Sequence, residues 1–342
     1  MKARTLSAAA SFTACLKRFF AGSSVSLALI VSSLMLFSGH THAAYPEKAI
    51  TIIVPYPTGG ATDTLARLIG QKISESLKQP VVVENRSGGS GTIGMTVAMK
   101  APADGYTILF AAVSDAGINS AAMSSSPVNL MNDFSPVAGV ATAPHILVVP
   151  SSLRAQNLTQ LIDYLKAAPG KYNFASIGVA TLSHLESELL MMTTGVDIVH
   201  VPYRGGAQAL LDLLAGNSTL MFLSGPAAMP HVKSGKLRVL AVASDQRLAL
   251  FPEVPTITES GIKGYDVNNL FGFAMPKGSP STAITTISKA IEAALRSPEL
   301  QARLEAQGLV VRYSNPDEFK KIIRDDFESF DRIVKKAKIR LD

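Results

Sequence analysis

The sequence predicts an α/β chain built from two similar units joined by two crossings. Three observations lead there. From residue 50 onwards short apolar, β-branched runs alternate with stretches of helical periodicity, the pattern of strands separated by crossover helices. In each unit a strand runs into a glycine-rich or small-residue loop just before its helix. Two longer apolar runs, around 137–149 and 237–244, bracket the middle of the chain and read as the crossings.

Residues 1–43 read as a secretory leader rather than as part of the fold. Lys2, Arg4, Lys17 and Arg18 give a basic start, Phe19 to Phe37 is apolar apart from Gly and Ser, and Thr41-His42-Ala43 offers small residues for cleavage after about Ala43. An N-terminal membrane anchor fits less well, because the small-residue site follows the apolar run at once. Cys15, the single cysteine, precedes the apolar run and leaves with the leader, so the exported chain has no disulfide and relies on a large core. The leader's four cations are balanced by no acid and account for most of the formal net charge of +6. The basic tail Lys335-Lys336-Ala337-Lys338-Ile339-Arg340 reads as a solvated helix end. With no Trp and no basic run interleaved with aromatics, nucleic-acid binding is disfavoured.

The opening unit is centred on TIIVPYPTGGATDTLARLIG, residues 51–70. Ile50, Ile52, Ile53 and Val54 form a buried strand, Pro55 and Pro57 stop it, and Thr58-Gly59-Gly60 turns the chain. Leu65, Leu68, Ile69, Ile73 and Leu77 then lie on one face of a helix. A tight turn into a helix leaves the first N–H groups unpaired and, with the helix dipole, suits a carboxylate or phosphate. A plain βα loop whose glycines only satisfy geometry is the alternative. Val81-Val82-Val83 is a second strand. Gly89, Gly91 and Gly94 follow at G-x-G-x-x-G spacing with Asp115 about twenty residues on, the formal dinucleotide fingerprint. Asn85 to Gly88 is too long a link for that motif's tight turn, so a glycine-rich loop opening a helix over Thr92 to Lys100 is the better reading. Pro102-Ala103-Asp104-Gly105 is a turn. The strand Tyr106 to Ala112 ends at Val113-Ser114-Asp115, polar residues at a strand's carboxyl end, where open α/β sheets bind ligands.

The middle repeats the theme. Asn157-Leu158-Thr159-Gln160 is a capping box for a helix to Ala168. A strand over Tyr172 to Ser176 enters the loop Ile177-Gly178-Val179-Ala180-Thr181, and Ser183-His184-Leu185-Glu186 starts a helix that Gly195 ends. Ile198 to Val201 runs into Pro202-Tyr203-Arg204-Gly205-Gly206 and a helix closed by Gly216. Leu220 to Leu223 and Leu237 to Ala243 are further strands. Three helices end the chain. Ser279-Pro280 and Ser297-Pro298 place proline at a first helical position, and Asn315-Pro316-Asp317-Glu318 is a capping box. Phe319, Ile323, Phe327, Phe330 and Val334 form an apolar stripe that reads as core.

Catalytic chemistry is thin. His145, His184, His200 and His231 are scattered without paired metal-ligand spacing, no G-x-S-x-G elbow occurs, and no cysteine survives cleavage. Asp63 lies in a first helical turn and serves equally well as a cap. Ser183 has an ordinary use as an N-cap. His184 reads as a ligand donor or as a buried, satisfied histidine. Arg204 beside Gly205 could pair bidentately with a carboxylate. Two α/β units joined by two crossings, exported, with anion-suited helix starts and no catalytic set, suggest a cleft that closes on a small acid, the logic of periplasmic binding proteins.

The chain also resembles a known family. YPEKAITIIVPYPTGGATD, VVVENRSGGSGTIG, ADGYTILF, SHLESELL, VHVPYRGGAQALLDLLAG, SGKLRVLAVASDQR and FPEVPTITESGIKGY, in this order, are similar to the Bug family of extracytoplasmic solute receptors, the binding components of tripartite tricarboxylate transporters. The resemblance spans essentially the whole mature chain. It implies a two-lobed periplasmic binding protein of the type II Venus-flytrap class with two crossover strands. Lobe 1 would comprise residues 44–142 and 245–342, and lobe 2 residues 143–244. It implies a ligand carboxylate held by Tyr56, Thr58, Gly59, Gly60, Ala61 and Asp63 of the opening loop, Ser114, then Ser176, Thr181, Ser183 and His184, and Tyr203, Arg204 and Gly205. Many members carry an Asp directly after the LMF strand, where this chain reads Leu223-Ser224, which disfavours ligand amines. Many carry a Trp where this chain reads Leu270-Phe271-Gly272, which bears on the cleft wall.

The expected function is therefore a periplasmic, monomeric solute-binding protein. It would deliver a small organic carboxylate to transmembrane permease subunits, without catalysis, cofactor or metal. A receptor presenting its ligand to a sensor kinase is the alternative from the same cleft, and a periplasmic enzyme using Asp63 and His184 the alternative from another class.

Overall fold

A computed structural model describes residues 45–342 apart from 60, 124–125, 204, 264, 266–268 and 341–342, so the expected leader and its cleavage point lie outside the described residues. The strand–loop–helix alternation is present from the start. β1 (Ile50–Val54) leads to α1 (Ala61–Leu77), and β2 (Val81–Asn85) to a 3₁₀ turn (Gly89–Gly91) and α2 (Thr92–Met99). β3 (Thr107–Ala112) runs directly into α3 (Val113–Ala122), and a single turn, α4 (Leu130–Asp133), precedes β4 (Phe134–Thr142). There follow β5 (His145–Pro150), α5 (Leu158–Lys166), β6 (Asn173–Ser176), α6 (Leu182–Thr194), β7 (Val199–Pro202), α7 (Gly206–Leu214), β8 (Leu220–Ser224), α8 (Gly225–Lys233) and β9 (Leu237–Ala243). The last elements are β10 (Leu270–Pro276), α9 (Ser281–Leu295), α10 (Pro298–Glu305), β11 (Val310–Ser314) and α11 (Pro316–Ala337).

Two mixed sheets result. The first has the order β11-β4-β10-β3-β1-β2, with β1 parallel to both β2 and β3 and the other three strands antiparallel to their neighbours. Ile52 lies opposite both Val83 and Ile108, so the β-branched run is buried on both faces, as its composition requires. The second has the order β7-β6-β8-β5-β9, with β6 parallel to β7 and β8 and β5 antiparallel to β8 and β9.

The crossings differ in detail from the two apolar runs. The first run is two strands in different sheets: β4 ends at Thr142, and β5 starts at His145 after Ala143-Pro144. Pro144 has no N–H to continue a ladder, while the Ala143 N–H is taken by Asn269 O at 2.8 Å. The second run, β9, lies wholly in the second sheet, and the return to β10 is made by the segment after Ala243.

Sequence patterning missed β10, β11, α3, α8 and the single turn α4. β10 is central in the first sheet, but Gly272 and the terminal Pro276 interrupt its apolar run. β11 alternates exposed and part-buried residues at a sheet edge. α3 lacks helical periodicity because it is buried on nearly every side, and α8 contains Pro230. Two caps also differ. Asn157 does accept from Gln160 N–H at 2.9 Å, but Gln160 Oε1 reaches back to Gln156 N–H rather than to the Asn157 backbone. Pro280 is the N-cap, outside the first turn of α9, whereas Pro298 and the full Asn315–Glu318 capping box are as expected.

α11 ties the two halves together. Phe319 and Ile323 near its start belong to a core under the first sheet with Leu109, Phe134 and Leu270. Phe330, Ile333 and Val334 near its end join the second sheet's core with Leu182, Leu185, Phe222 and Leu240. The stripe is therefore core, as its periodicity predicts. Phe319 is admitted by missing side chains: a Cβ on Gly272 would collide with its ring, and one on Gly139 would lie 3.0 Å from it.

The third glycine of the G-x-G-x-x-G cluster has a similar use. A Cβ on Gly94 would lie 2.5 Å from Arg86 O and 2.6 Å from Pro55 Cα, so α2 packs directly on the backbone of the opening loop. Those atoms are main chain and cannot step aside. Replacement of Gly94 by Ala is expected to lower stability by about 1–3 kcal/mol; an unchanged urea midpoint would show that the two segments can separate without cost.

Candidate functional site

The opening loop is held in shape by its own acid. Thr58 and Gly59 are exposed, while Asp63, in the first turn of α1, is buried. Asp63 Oδ2 accepts from Gly59 N–H at 2.9 Å, and Oδ1 accepts from Asn85 Nδ2 at 3.0 Å and Arg67 Nη2 at 2.9 Å. Asn85 Nδ2 also donates to Tyr56 O at 3.1 Å, which joins the end of β2 to the loop. Burial works to raise the Asp63 pKa, but the Arg67, Gly59 and Asn85 hydrogen bonds outweigh it and hold the carboxyl below its ordinary range. Asp63 thus pins the turn. Gly91 lies against the Tyr56 ring, where a Cβ would be 3.4 Å from Cε1.

The loop between β6 and α6 is built the same way. Ser183 Oγ accepts from Ile177 N–H at 3.2 Å, Ser176 Oγ from Gly178 N–H at 3.2 Å, and His184 Nδ1 from Ala180 N–H at 3.2 Å. Thr181 Oγ1 donates to Gly178 O at 2.7 Å and lies 3.2 Å from Ser183 Oγ. Gly178, with φ +146°, supplies a backbone shape that side-chain-bearing residues rarely adopt. Beneath the loop the imidazoles of His184 and His200 stack at 3.8 Å between ring centres, with the Phe174 ring against both, 4.8 Å from His200 and 6.1 Å from His184. His184 Nε2 is 3.4 Å from Glu188, and Ser176 Oγ is 2.6 Å from His200 Nε2. Burial, and then His184, push the His200 pKa down to about 4.

The two loops meet at α3. Ser114 is buried and its Oγ accepts from Leu270 N–H at 3.1 Å, which fastens α3 to β10. Asp115 accepts a hydrogen bond from the N–H of Leu182, the first residue of α6, so an acid from the end of β3 sits at the start of the second unit's helix. Asp115 also faces Tyr56, whose hydroxyl is pushed well up by burial and then by that acid. His145 and Glu186 lie behind, both buried, with His145 Nδ1 2.7 Å from Glu186 Oε2. Burial raises Asp115 and Glu186. It works against a charged His145, yet Glu186 and Asp115 raise that imidazole's pKa overall.

Of the expected site residues, Tyr56, Thr58, Gly59, Ala61 and Asp63 belong to the first loop, and Ser176, Thr181, Ser183 and His184 to the second; Ser114 stands beside their meeting point. Tyr203 donates its backbone N–H to Ser176 O at 3.0 Å, but its hydroxyl turns to Asp212 of α7. Gly205 has φ +120° at the N-cap of α7. Gly60 and Arg204 lie outside the described residues. Phe271 is core rather than cleft wall: it is buried beside Phe110 with ring centres 6.3 Å apart. Sequence reasoning met His145 only as a scattered histidine and Glu186 only in a helix start, and used Asp115 as the distant acid of the formal dinucleotide spacing and as a strand-end polar residue. The signal that bore on a site was the place of Asp115 at the carboxyl end of a parallel strand.

Two open cavities lie elsewhere. One of about 650 Å³ is at the opposite end of the second sheet, between Arg154, Tyr164, Lys171 and Asn217. One of about 560 Å³ is beside the crossings, between Pro144, Asp245, Leu250 and Arg312. Neither is lined by an expected site residue. Among the described residues no group of three or more His, Cys, Asp or Glu could hold a metal ion, and no helix is long and apolar enough to cross a membrane.

Two mixed α/β sheets linked by two chain crossings, with helix-start loops meeting between them, define a two-lobed periplasmic binding fold. Residues 65–339 match the model of the tripartite tricarboxylate transporter family receptor (TctC), and the chain belongs to that family. It is 35% identical over 298 residues to Protein BugT of Bordetella pertussis, covering 87% of this chain and 91% of the other. Rpa4515 of R. palustris, solved with adipate, is similar at 32% identity and TM-score 0.76, covering 86% of this chain and 99% of that one. MatC of Rhodopseudomonas palustris, solved with bound malate, is similar at 27% identity and TM-score 0.72, covering 85% and 100%.

The stacked histidines give a pH expectation. His200 is depressed in the folded protein to about 4, against about 6.5 in an unfolded chain. Its contribution to stability is therefore full above the unfolded value and is lost as the pH falls from there towards about 4. Imidazole nitrogen NMR should show a neutral His200 ring at pH about 5.5; a protonation midpoint near the free-imidazole value would contradict the stack.

Proposed function

We propose that the chain is a periplasmic solute-binding protein that captures a small organic carboxylate between two lobes, residues 44–142 with 245–342 and residues 143–244. It passes the ligand to the transmembrane subunits of a tripartite tricarboxylate-type transporter. The leader is removed after about Ala43, and the mature protein acts as a monomer without catalysis.

The observation that carries this reading is the meeting of the two helix-start loops: Asp115, at the end of a first-sheet strand, reaches both Tyr56 and the Leu182 N–H that opens α6. The family membership supports the receptor role, and the adipate and malate bound by two similar structures support a carboxylate as the ligand. The assignment of each sheet's strands to the two sequence blocks agrees with the proposed lobes. α11, packed in both cores, is a natural flexing element for closure. An acid–base role for Asp63 and His184 finds no support, because Asp63 is held ionised by Arg67 and Asn85 and His184 Nδ1 is taken by its own loop.

A thermal-shift panel of mono-, di- and tricarboxylates on the mature protein tests the reading. A cognate carboxylate at a hundredfold excess over its Kd should add about 2.7 kcal/mol of stability, and Thr58→Val should weaken the response. A panel with no shift would refute the carboxylate assignment.

A further inference from the structure

The cavity at the far end of the second sheet, away from the helix-start loops, is lined by charge of one sign. It holds about 650 Å³, within the ~300–1,000 Å³ usual for small-molecule sites. Arg154, in the loop after β5, and Lys171, in the turn before β6, are its charged lining residues; no Asp or Glu lines it. Both cations are exposed, and among the described residues neither has a carboxylate partner. Tyr164 and Tyr172 form a flat wall, with ring centres 4.6 Å apart. A hydrogen bond to Tyr172, then burial, raise the Tyr164 pKa, while Lys171 and Arg154 both work against that rise. Two cations from different parts of the chain thus act on one phenol oxygen. A single anionic group beside that hydroxyl would meet both.

The walls are braced by the protein itself. Arg238 of β9 donates from Nη1 to Leu153 O and Ala155 O, both at 3.0 Å, and from Nη2 to Ser151 O at 3.4 Å. Its guanidinium is thereby engaged in shaping the loop that carries Arg154. Across the cavity Asn173 Nδ2 donates to Asn217 O at 2.9 Å, and Asn173 Oδ1 accepts from Thr219 N–H at 2.9 Å. Asp212 holds the same turn, its oxygens taken by Asn217 Nδ2 at 2.9 Å and Ser218 Oγ at 3.0 Å. The polar groups of both walls are satisfied, and the two lining cations are not. A cavity shaped in advance loses little ordering entropy when a ligand enters.

We propose that this cavity is a second binding site, for a small organic phosphate monoester. The phosphate pairs with Arg154 and Lys171, and the organic part lies on the Tyr164 and Tyr172 rings. A phosphate monoester carries a charge of about −1.5 to −2 on one group. That matches two cations converging on one place, which a dicarboxylate with separated charges does not. Arg154 presents a fork to the phosphate oxygens and Lys171 a point charge. The site is separate from the proposed carboxylate cleft and does not rest on it. β6 runs from Asn173 in the cavity to Ser176 in the helix-start loop, a span of about 10 Å.

Calorimetric titration of the mature protein with phenyl phosphate at low salt tests it, with inorganic phosphate and succinate for comparison. Wild type should bind phenyl phosphate about fivefold more tightly than inorganic phosphate, through the ring contact. Arg154→Gln and Lys171→Gln remove exposed charges that brace nothing, and each should weaken phenyl phosphate about fivefold. Amide NMR shifts on binding should fall at Asn217 to Thr219 rather than at Thr58, Gly59 or Ile177, and excess succinate should leave them in place. Absence of phenyl phosphate binding overturns the proposal, as does binding unchanged in both variants or displaced by succinate. Inorganic phosphate binding as tightly as phenyl phosphate overturns the assignment to an organic monoester.

Discussion

Every parallel strand that turns tightly into a helix leaves main-chain N–H groups facing the turn, and the structure is arranged around pairing them. In the opening loop Asp63 receives Gly59, and in the second Ser176, Ser183 and His184 receive Gly178, Ile177 and Ala180. The side chains that family resemblance marks for the ligand therefore also build the loops. Their polar atoms set the loop shapes, while Thr58 and Gly59 remain exposed.

The N–H that opens α6 is different, since its acceptor comes from the other sheet's side of the chain. Asp115 is positioned by α3, and α3 is fastened by Ser114 to β10 and lies under α11. The packing is close: a Cβ on Gly117 would sit 2.8 Å from the Phe327 ring. The long C-terminal helix thus sets the position of the acid that bridges the two loops. A helix whose first half belongs to one core and whose last half belongs to another transmits any change in the angle between the sheets. The two loops and α11 are in this sense one packed unit.

Much was legible in the chain itself. The β-branched run at 50–54 is the buried strand its composition indicates, and the stripe from Phe319 to Val334 is core. The glycines at 89, 91 and 94 open α2, as the length of the Asn85–Gly88 link suggested, and Gly94 brings that helix onto the opening loop. α3 and β10 were not legible, because periodicity reports a boundary between core and water. An element buried on all sides, or interrupted by a glycine that admits Phe319, has no such boundary. Asn157 was half legible: the residue caps, but which N–H the Gln160 side chain reaches depends on chain direction before the helix.

By itself the sequence determined the α/β class, the loops that precede helix starts and the family, because these rest on local composition and on motifs in a fixed order. The tertiary structure alone decided which polar groups face one another. Asp115, His145 and Glu186 come from three elements far apart in the chain, and nothing local to any of them indicates that they lie together. Electrostatic partnership depends on distance and burial, and both arise only when the sheets and α11 have packed.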